Sequence, residues 1–303
     1  MTDLSLTLCG VKLKNPVIAA SGTFGFGREF DLLYDISKLG GISVKGLTLA
    51  PRLGNKPHRL AETPSGMLNA VGLQNPGVDA FIENDLPWLL SKNVAVIANI
   101  AGACEDDYCA MAEKLAPTGV HMLEMNISCP NVKEGGVAFG VYPETIYQIT
   151  KAVKAHARQP LMVKLSPNCA DIAQNARAAQ EAGADCISLI NTLTGVAVDV
   201  RRREMVLHNN TGGLSGPAVR PVALRMVWQA ARAVDIPVVG MGGIMKGEDA
   251  AAFMLCGAQA VMVGTANFTD PMACPRIIDE LDAYCQSQKI ANPQQIVGTI
   301  KCH

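Results

Sequence analysis

Aromatic residues are scarce: they make up 5% of the 303 residues, against a hydrophobic content of 49%. The interior is therefore built from Ala, Val, Ile, Leu and Met, which suits parallel strands wrapped by alanine-rich helices. A surplus of one charge is also lacking. The formal net charge is −1, and Arg201-Arg202-Arg203 is the only basic cluster, short enough to read as a solvated hairpin. Nucleic acid is not indicated as a partner. No apolar run reaches membrane-spanning length, and Met1-Thr2-Asp3-Leu4-Ser5 is not a basic stretch leading into an apolar one. Neither a membrane span nor a secretory signal is expected. The ten cysteines include no C-x-x-C pair. Cys104 and Cys109 are separated by about 500° around a helix and do not share a face. A disulfide framework, a zinc site and an iron–sulfur cluster in this chain are all disfavoured. Reduced thiols in a cytoplasmic protein, with no bound metal, are the expectation.

What is present is a repeated unit. Leu4 to Lys14 alternates, turns at Cys9-Gly10 and alternates again, which predicts an N-terminal β-hairpin able to plug the bottom of a barrel. Short apolar strands then follow at Val17–Ala20, Gly41–Lys45, Val94–Asn99, His121–Asn126, Leu161–Lys164, Cys186–Asn191, Pro237–Gly240 and Ala260–Val263. Helices are predicted at Arg28–Ser37, Asp79–Leu90, Glu105–Leu115, Pro143–Ala157, Ala170–Ala182, Val219–Val234, Gly247–Cys256 and Pro271–Gln288. Eight such units predict an α/β fold, a (β/α)8 TIM barrel, over one domain spanning residues 1–303. A doubly wound open sheet is the other arrangement weighed. Two connections, Gly46–Gly77 and Thr192–Gly216, are too long for simple turns. Both fall on the C-terminal face, where barrels build active sites.

The strand ends carry the chemistry. Lys45, Asn99, Asn126, Lys164 and Asn191 end otherwise apolar strands, and geometry aims them at one mouth. Two lysines and three carboxamides suit a planar, anionic, hydrogen-bonding ligand. The set holds no His and no carboxylate pair, which argues against glycosidase and metal-hydrolase chemistry. Lys164 at the mouth could stabilise the anionic reduced form of a flavin. Its structural counterpart, an ion pair inside the barrel, has no acidic partner among the strand-end residues. Gly240-Met241-Gly242-Gly243-Ile244 and Gly264-Thr265-Ala266 follow the last two strands, where barrels bind phosphate through backbone N–H groups. Ser215-Gly216-Pro217 could add another. Finally, Asn126-Ile127-Ser128-Cys129-Pro130-Asn131 puts a thiol between two carboxamides where a strand opens into a glycine-rich segment. Such a thiol can move a proton or act as a nucleophile.

These motifs, with Lys45-Gly46-Leu47-Thr48, Asn69 to Gly77, Asn191-Thr192, Gly242-Gly243-Ile244 and Gly264-Thr265, resemble class 1 dihydroorotate dehydrogenase from about Leu4 to Tyr284. The resemblance implies an FMN-binding (β/α)8 barrel that oxidises dihydroorotate to orotate in pyrimidine synthesis. It implies that Cys129 is the general base for the C5 proton while the C6 hydride passes to flavin N5. It also implies a substrate site of Lys45, Asn69, Val71, Gly72, Leu73, Asn126, Asn131, Asn191 and Thr192. The FMN site would comprise Ser21, Lys45, Gly46, Asn99, Asn126, Lys164, Ile190, Gly216, Gly242, Gly243, Gly264 and Thr265. Residues 132–140 would be a lid. Ser21 to Gly27 and Ala61-Glu62-Thr63-Pro64 look like class 1B, which implies a homodimer joined by a second subunit carrying FAD and an iron–sulfur cluster and passing electrons to NAD. The rivals are the fumarate-linked class 1A enzyme, a flavin-free phosphate-binding aldolase or isomerase using Lys164 as Schiff base, and a non-catalytic barrel.

Overall fold

Runs of three to six apolar residues become strands here because Ala-rich helices cover them on one side and each other's side chains on the other. A computed structural model describes residues 2–127 and 140–302. The chain opens with β1 (Leu6–Leu8) and β2 (Val11–Leu13), an antiparallel hairpin. Then come β3 (Val17–Ala19), β4 (Gly41–Ser43), β5 (Leu60–Thr63) and β6 (Gly66–Asn69). Next are β7 (Ala95–Ile100), β8 (Met122–Asn126), β9 (Leu161–Lys164) and β10 (Cys186–Leu189). The remainder are β11 (Leu193–Val196), β12 (Val198–Asp199), β13 (Glu204–Met205), β14 (Thr211–Ser215), β15 (Val238–Met241) and β16 (Ala260–Val263). Eight of them, β3, β4, β7, β8, β9, β10, β15 and β16, pair in parallel and close into a barrel.

The expected helices are present, with two breaks. Helix α1 covers only Arg28–Asp31, and a separate 3-10 turn covers Ile36–Lys38. The Asp35 side chain accepts from the Ser37 N–H at 2.9 Å, a local bond that competes with continuing the helix. The second predicted helix is split into α2 (Val78–Ala80), a π-turn at Phe81–Asp85 and α3 (Leu86–Ser91). Pro87 lies in the first turn of α3, and its missing N–H and ring explain why the α pattern stops before it. The rest are α4 (Glu105–Leu115), α5 (Pro143–His156), α6 (Ile172–Glu181), α7 (Arg220–Ala231), α8 (Gly247–Leu255), α9 (Ala266–Thr269) and α10 (Ala273–Ser287).

The core has two shells. Outside the strands, Val96, Leu123, Val163, Ile187 and Val261 pack against helix residues such as Met111, Ile149, Ala176, Val227 and Phe253. Inside the barrel, Ile18, Ile97, Met122, Met162, Cys186, Val239 and Met262 form a second cluster with Leu6, Leu8 and Leu13. The hairpin therefore closes the floor, as its pattern predicts. Cys9 at its turn donates through Sγ to the Asp185 carbonyl at 3.2 Å.

At the other end, the two long connections are more regular than loops. Strands β11, β14, β6 and β5 form a four-stranded antiparallel sheet, so the Gly46–Gly77 and Thr192–Gly216 segments pair with each other. The strands approach closely: a Cβ on Gly213 would lie 2.0 Å from Thr192 Oγ1. Glycine at that position admits the pairing. Beside this sheet, β12 and β13 form the solvated hairpin whose turn holds Arg201, Arg202 and Arg203. No helix among the described residues is long and apolar enough to cross a membrane.

Candidate active site

Period-two alternation decides what each strand offers the barrel interior. On β8 the inward positions are Met122, Glu124 and Asn126. The first packs in the interior cluster, and the other two are polar and buried. On β7 the last inward residue is Asn99, on β9 Lys164 and on β10 Ser188. Register sets Asn99 beside Glu124, Asn126 beside Lys164, and Lys164 beside Ser188. A polar layer thus sits directly above an apolar one.

The layer is tightly bonded. Glu124 Oε2 accepts from Ser43 Oγ at 2.6 Å and from Asn99 Nδ2 at 2.7 Å. Its Oε1 accepts from Ser188 Oγ at 2.8 Å and lies 3.8 Å from Lys164 Nζ. Lys164 Nζ also donates to Ser21 Oγ at 3.2 Å. No strand-end acid faces Lys164, as expected, but the ion pair inside the barrel does exist: its partner is Glu124, two residues below the strand end. The signal was in the sequence. If Asn126 faces inward at the mouth, the same alternation turns Glu124 inward too.

Above this layer opens a cavity of about 430 Å³, within the range typical of small-molecule sites. Ser21, Lys45, Gly46, Asn69, Val71, Gly72, Leu73, Asn99, Asn126, Lys164, Ile190, Asn191, Thr192, Gly216, Gly242, Gly243, Gly264 and Thr265 all line it. Cys129, Asn131 and residues 132–139 lie outside the described residues. The structure thus gathers every predicted site residue that it describes into one space. Arg52, Asn55, Asn168 and Phe268 also line the wall and were not singled out by sequence reasoning. Arg52, Asn55 and Asn168 sit on connections and Phe268 on the short helix α9, where no strand-end rule applies.

Two ends of the cavity differ. At one, Asn191 Nδ2 donates to Asn126 Oδ1 at 3.2 Å and Asn191 Oδ1 accepts from the Thr192 N–H at 2.8 Å. Asn69 Nδ2 donates to the Gly213 carbonyl at 3.3 Å, and Tyr108 Oη donates to the Asn126 carbonyl at 2.8 Å, pinning the strand end from behind. This end offers oriented amides to a small polar ligand. At the other, Gly243 has φ +76, and a Cβ there would lie 2.7 Å from the Gly216 carbonyl oxygen. Thr265 Oγ1 and Ser215 Oγ are hydrogen-bonded at 2.9 Å. Bare backbone and hydroxyls are what an anionic phosphate needs. Between the ends, Asn99 Oδ1 is buried without a hydrogen-bond partner among the described residues. A buried acceptor in that state asks for a donor from a ligand. The residues present fit a flat, N–H-bearing ring joined to a phosphate.

Comparison with known proteins agrees with this geometry. A family profile described as dihydroorotate dehydrogenase matches residues 3–284. The chain is similar to proteins named dihydroorotate dehydrogenase B (NAD(+)), catalytic subunit, from three organisms. With that of Alkaliphilus metalliredigens it shares 53% identity over 298 residues, 98% of this chain and 99% of the relative. With that of Halalkalibacterium halodurans it shares 52% over 299 residues, 98% of each. With that of Thermoanaerobacter pseudethanolicus it shares 52% over 299 residues, 99% of each.

Proposed function

Because the chain belongs to the dihydroorotate dehydrogenase family, we propose that its cavity binds FMN and dihydroorotate and that the protein oxidises the latter to orotate in pyrimidine biosynthesis. The observation that carries this reading is the convergence of Lys45, Lys164, Asn99, Asn126 and Asn191 on one cavity that Gly216, Gly242, Gly243 and Gly264 also line. Ser21, Lys45, Gly46, Asn99, Asn126, Lys164 and Ile190 would hold the ring of FMN. Gly216, Gly242, Gly243, Gly264 and Thr265 would hold its ribityl phosphate. When bound, FMN supplies a two-electron acceptor for the C6 hydride of the substrate.

The chain's own residues would do the rest. Lys45 would pair with the substrate carboxylate. Asn69, Asn126, Asn131, Asn191 and Thr192 would hold the pyrimidine ring by its amide edges, with the backbone of Val71, Gly72 and Leu73 assisting. Cys129 would take the C5 proton onto Sγ. Lys164 would stabilise negative charge arising on the cofactor side.

The relatives' shared name, the catalytic subunit of an NAD(+)-linked enzyme, supports a class 1B assignment. On that reading, a separate subunit with FAD and an iron–sulfur cluster relays electrons to NAD, two copies of this chain pair, and the assembly works in the cytoplasm. The test is anaerobic. Purified protein should bind FMN, turn yellow and bleach on addition of dihydroorotate; protein that cannot be reconstituted with FMN, or does not bleach, rejects the reading. Cys129→Ala should keep FMN and lose about 10²- to 10⁴-fold in turnover. Cys129→Ser should recover activity only at raised pH, since a hydroxyl is a far weaker acid than a thiol of pKa about 8.5.

A further inference from the structure

We propose that Glu124 is a positioning residue for the cofactor, fixing which face of the Asn99 amide meets the ring and tempering the charge of Lys164. The proposal rests on the FMN reading of the site. Glu124 is fully buried. A buried carboxyl is costly unless it is fully bonded. The layer beneath closes the barrel with Met122 and Met162, so packing alone does not call for a carboxylate at this height. The four groups bonded or paired with it come from four strands: Ser43 on β4, Asn99 on β7, Lys164 on β9 and Ser188 on β10.

Two consequences follow from its chemistry. A carboxylate only accepts hydrogen bonds. The Asn99 amide must therefore turn its Nδ2 toward Glu124, 2.7 Å away, and leave Oδ1 buried with no partner among the described residues. Gly46 keeps room beside that oxygen, because a Cβ there would lie 2.9 Å from it. Asn99 is thus fixed as an acceptor for a ring N–H. The second consequence is electrostatic. Lys164 Nζ lies 3.8 Å from Glu124 Oε1, so the carboxylate offsets part of the positive field that favours an anionic reduced ring. Glu124 reaches the cofactor through these two side chains and not by contact.

The full-length protein loaded with FMN provides the test, with the flavin midpoint potential and FMN dissociation constant read alongside melting temperature. In Glu124→Gln the offset is gone. Reduced FMN should gain on the order of tenfold in relative affinity over oxidised FMN, a rise of about 30 mV for a two-electron couple. The Gln amide can also donate, so Asn99 is no longer held in one orientation. Oxidised FMN should bind about tenfold more weakly. Ser188→Ala removes a donor from Oε1 and concentrates the carboxylate's charge, so the potential should move the other way. Shifts of opposite sign support the proposal. Unchanged potentials in both variants, or shifts of the same sign, overturn it even where melting temperature falls. If Glu124→Gln does not fold, Ser188→Ala decides alone: a lowered potential supports the proposal, an unchanged or raised one overturns it. Unmodified protein that takes up no FMN overturns the functional reading itself, and this proposal with it.

Discussion

The lower and upper halves of the barrel interior are lined by the same strands, yet they do opposite work. On β8, Met122 packs with Leu6, Leu8 and Leu13 of the hairpin, while Glu124, one inward position higher, joins a network of hydroxyl, amide and ammonium groups. Two residues of strand, roughly 7 Å of rise, separate a region that makes the barrel stable from one that makes it reactive. The floor tolerates no water and asks only for volume. The layer above is stabilised only while each polar group keeps its partner.

Four measurements would sharpen or break that contrast. Met162→Ala, in the floor, should lose about 2–5 kcal/mol of unfolding free energy by denaturant titration while leaving kcat/KM unchanged; a lowered kcat/KM would mean that the floor also shapes the mouth. Asn191→Ala should do the reverse, raising KM for dihydroorotate on the order of tenfold with little change in stability. Tyr108→Phe removes the hydroxyl bond behind Asn126 and should cost about 1 kcal/mol with a smaller rise in KM, placing it between the two regions. The smallest effect belongs to His121, just below β8. Its Nδ1 accepts from the Val96 N–H at 3.1 Å, and burial of that edge lowers the imidazole below its usual 6.5. The unfolded chain then binds the extra proton first. Stability present above about pH 6.5 should fall as pH drops toward the lowered value, by a few tenths of a kcal/mol at this exposed ring. In His121→Gln that slope should vanish, and a slope that persists would place its origin elsewhere.

The barrel was legible because its signal is local. Leu161–Lys164 and Ala260–Val263 are apolar runs bounded by turn residues, and they occur as strands with the same limits. The mouth was legible in part: Asn126 and Lys164 end β8 and β9, Asn99 is one short of the end of β7, and Lys45 and Asn191 lie two residues beyond β4 and β10, yet all five line the cavity. Glu124 escaped because the segment His121 to Asn126 reads as a nearly continuous apolar strand with polar ends. Alternation from the inward Asn126 gives Glu124 its face, but that parity shows only when the strand is counted back from its polar end. The sheet formed by β11, β14, β6 and β5 escaped for another reason. Its partners are joined across the sequence, and Gly66, Gly195, Gly212 and Gly213 erase the alternation that marks a strand. Cys129 and Asn131 lie outside the described residues, so their placement rests on the motif.

That sheet has a mechanical meaning. Asn69 and Gly213, 144 positions apart, are held in one ladder, and Thr192 packs against the same strand. The two long connections, both lining the cavity, therefore form a single strut spanning opposite walls. In amide exchange they should open together, protected or released as one cooperative unit. A ligand grasped by either segment would then stiffen both.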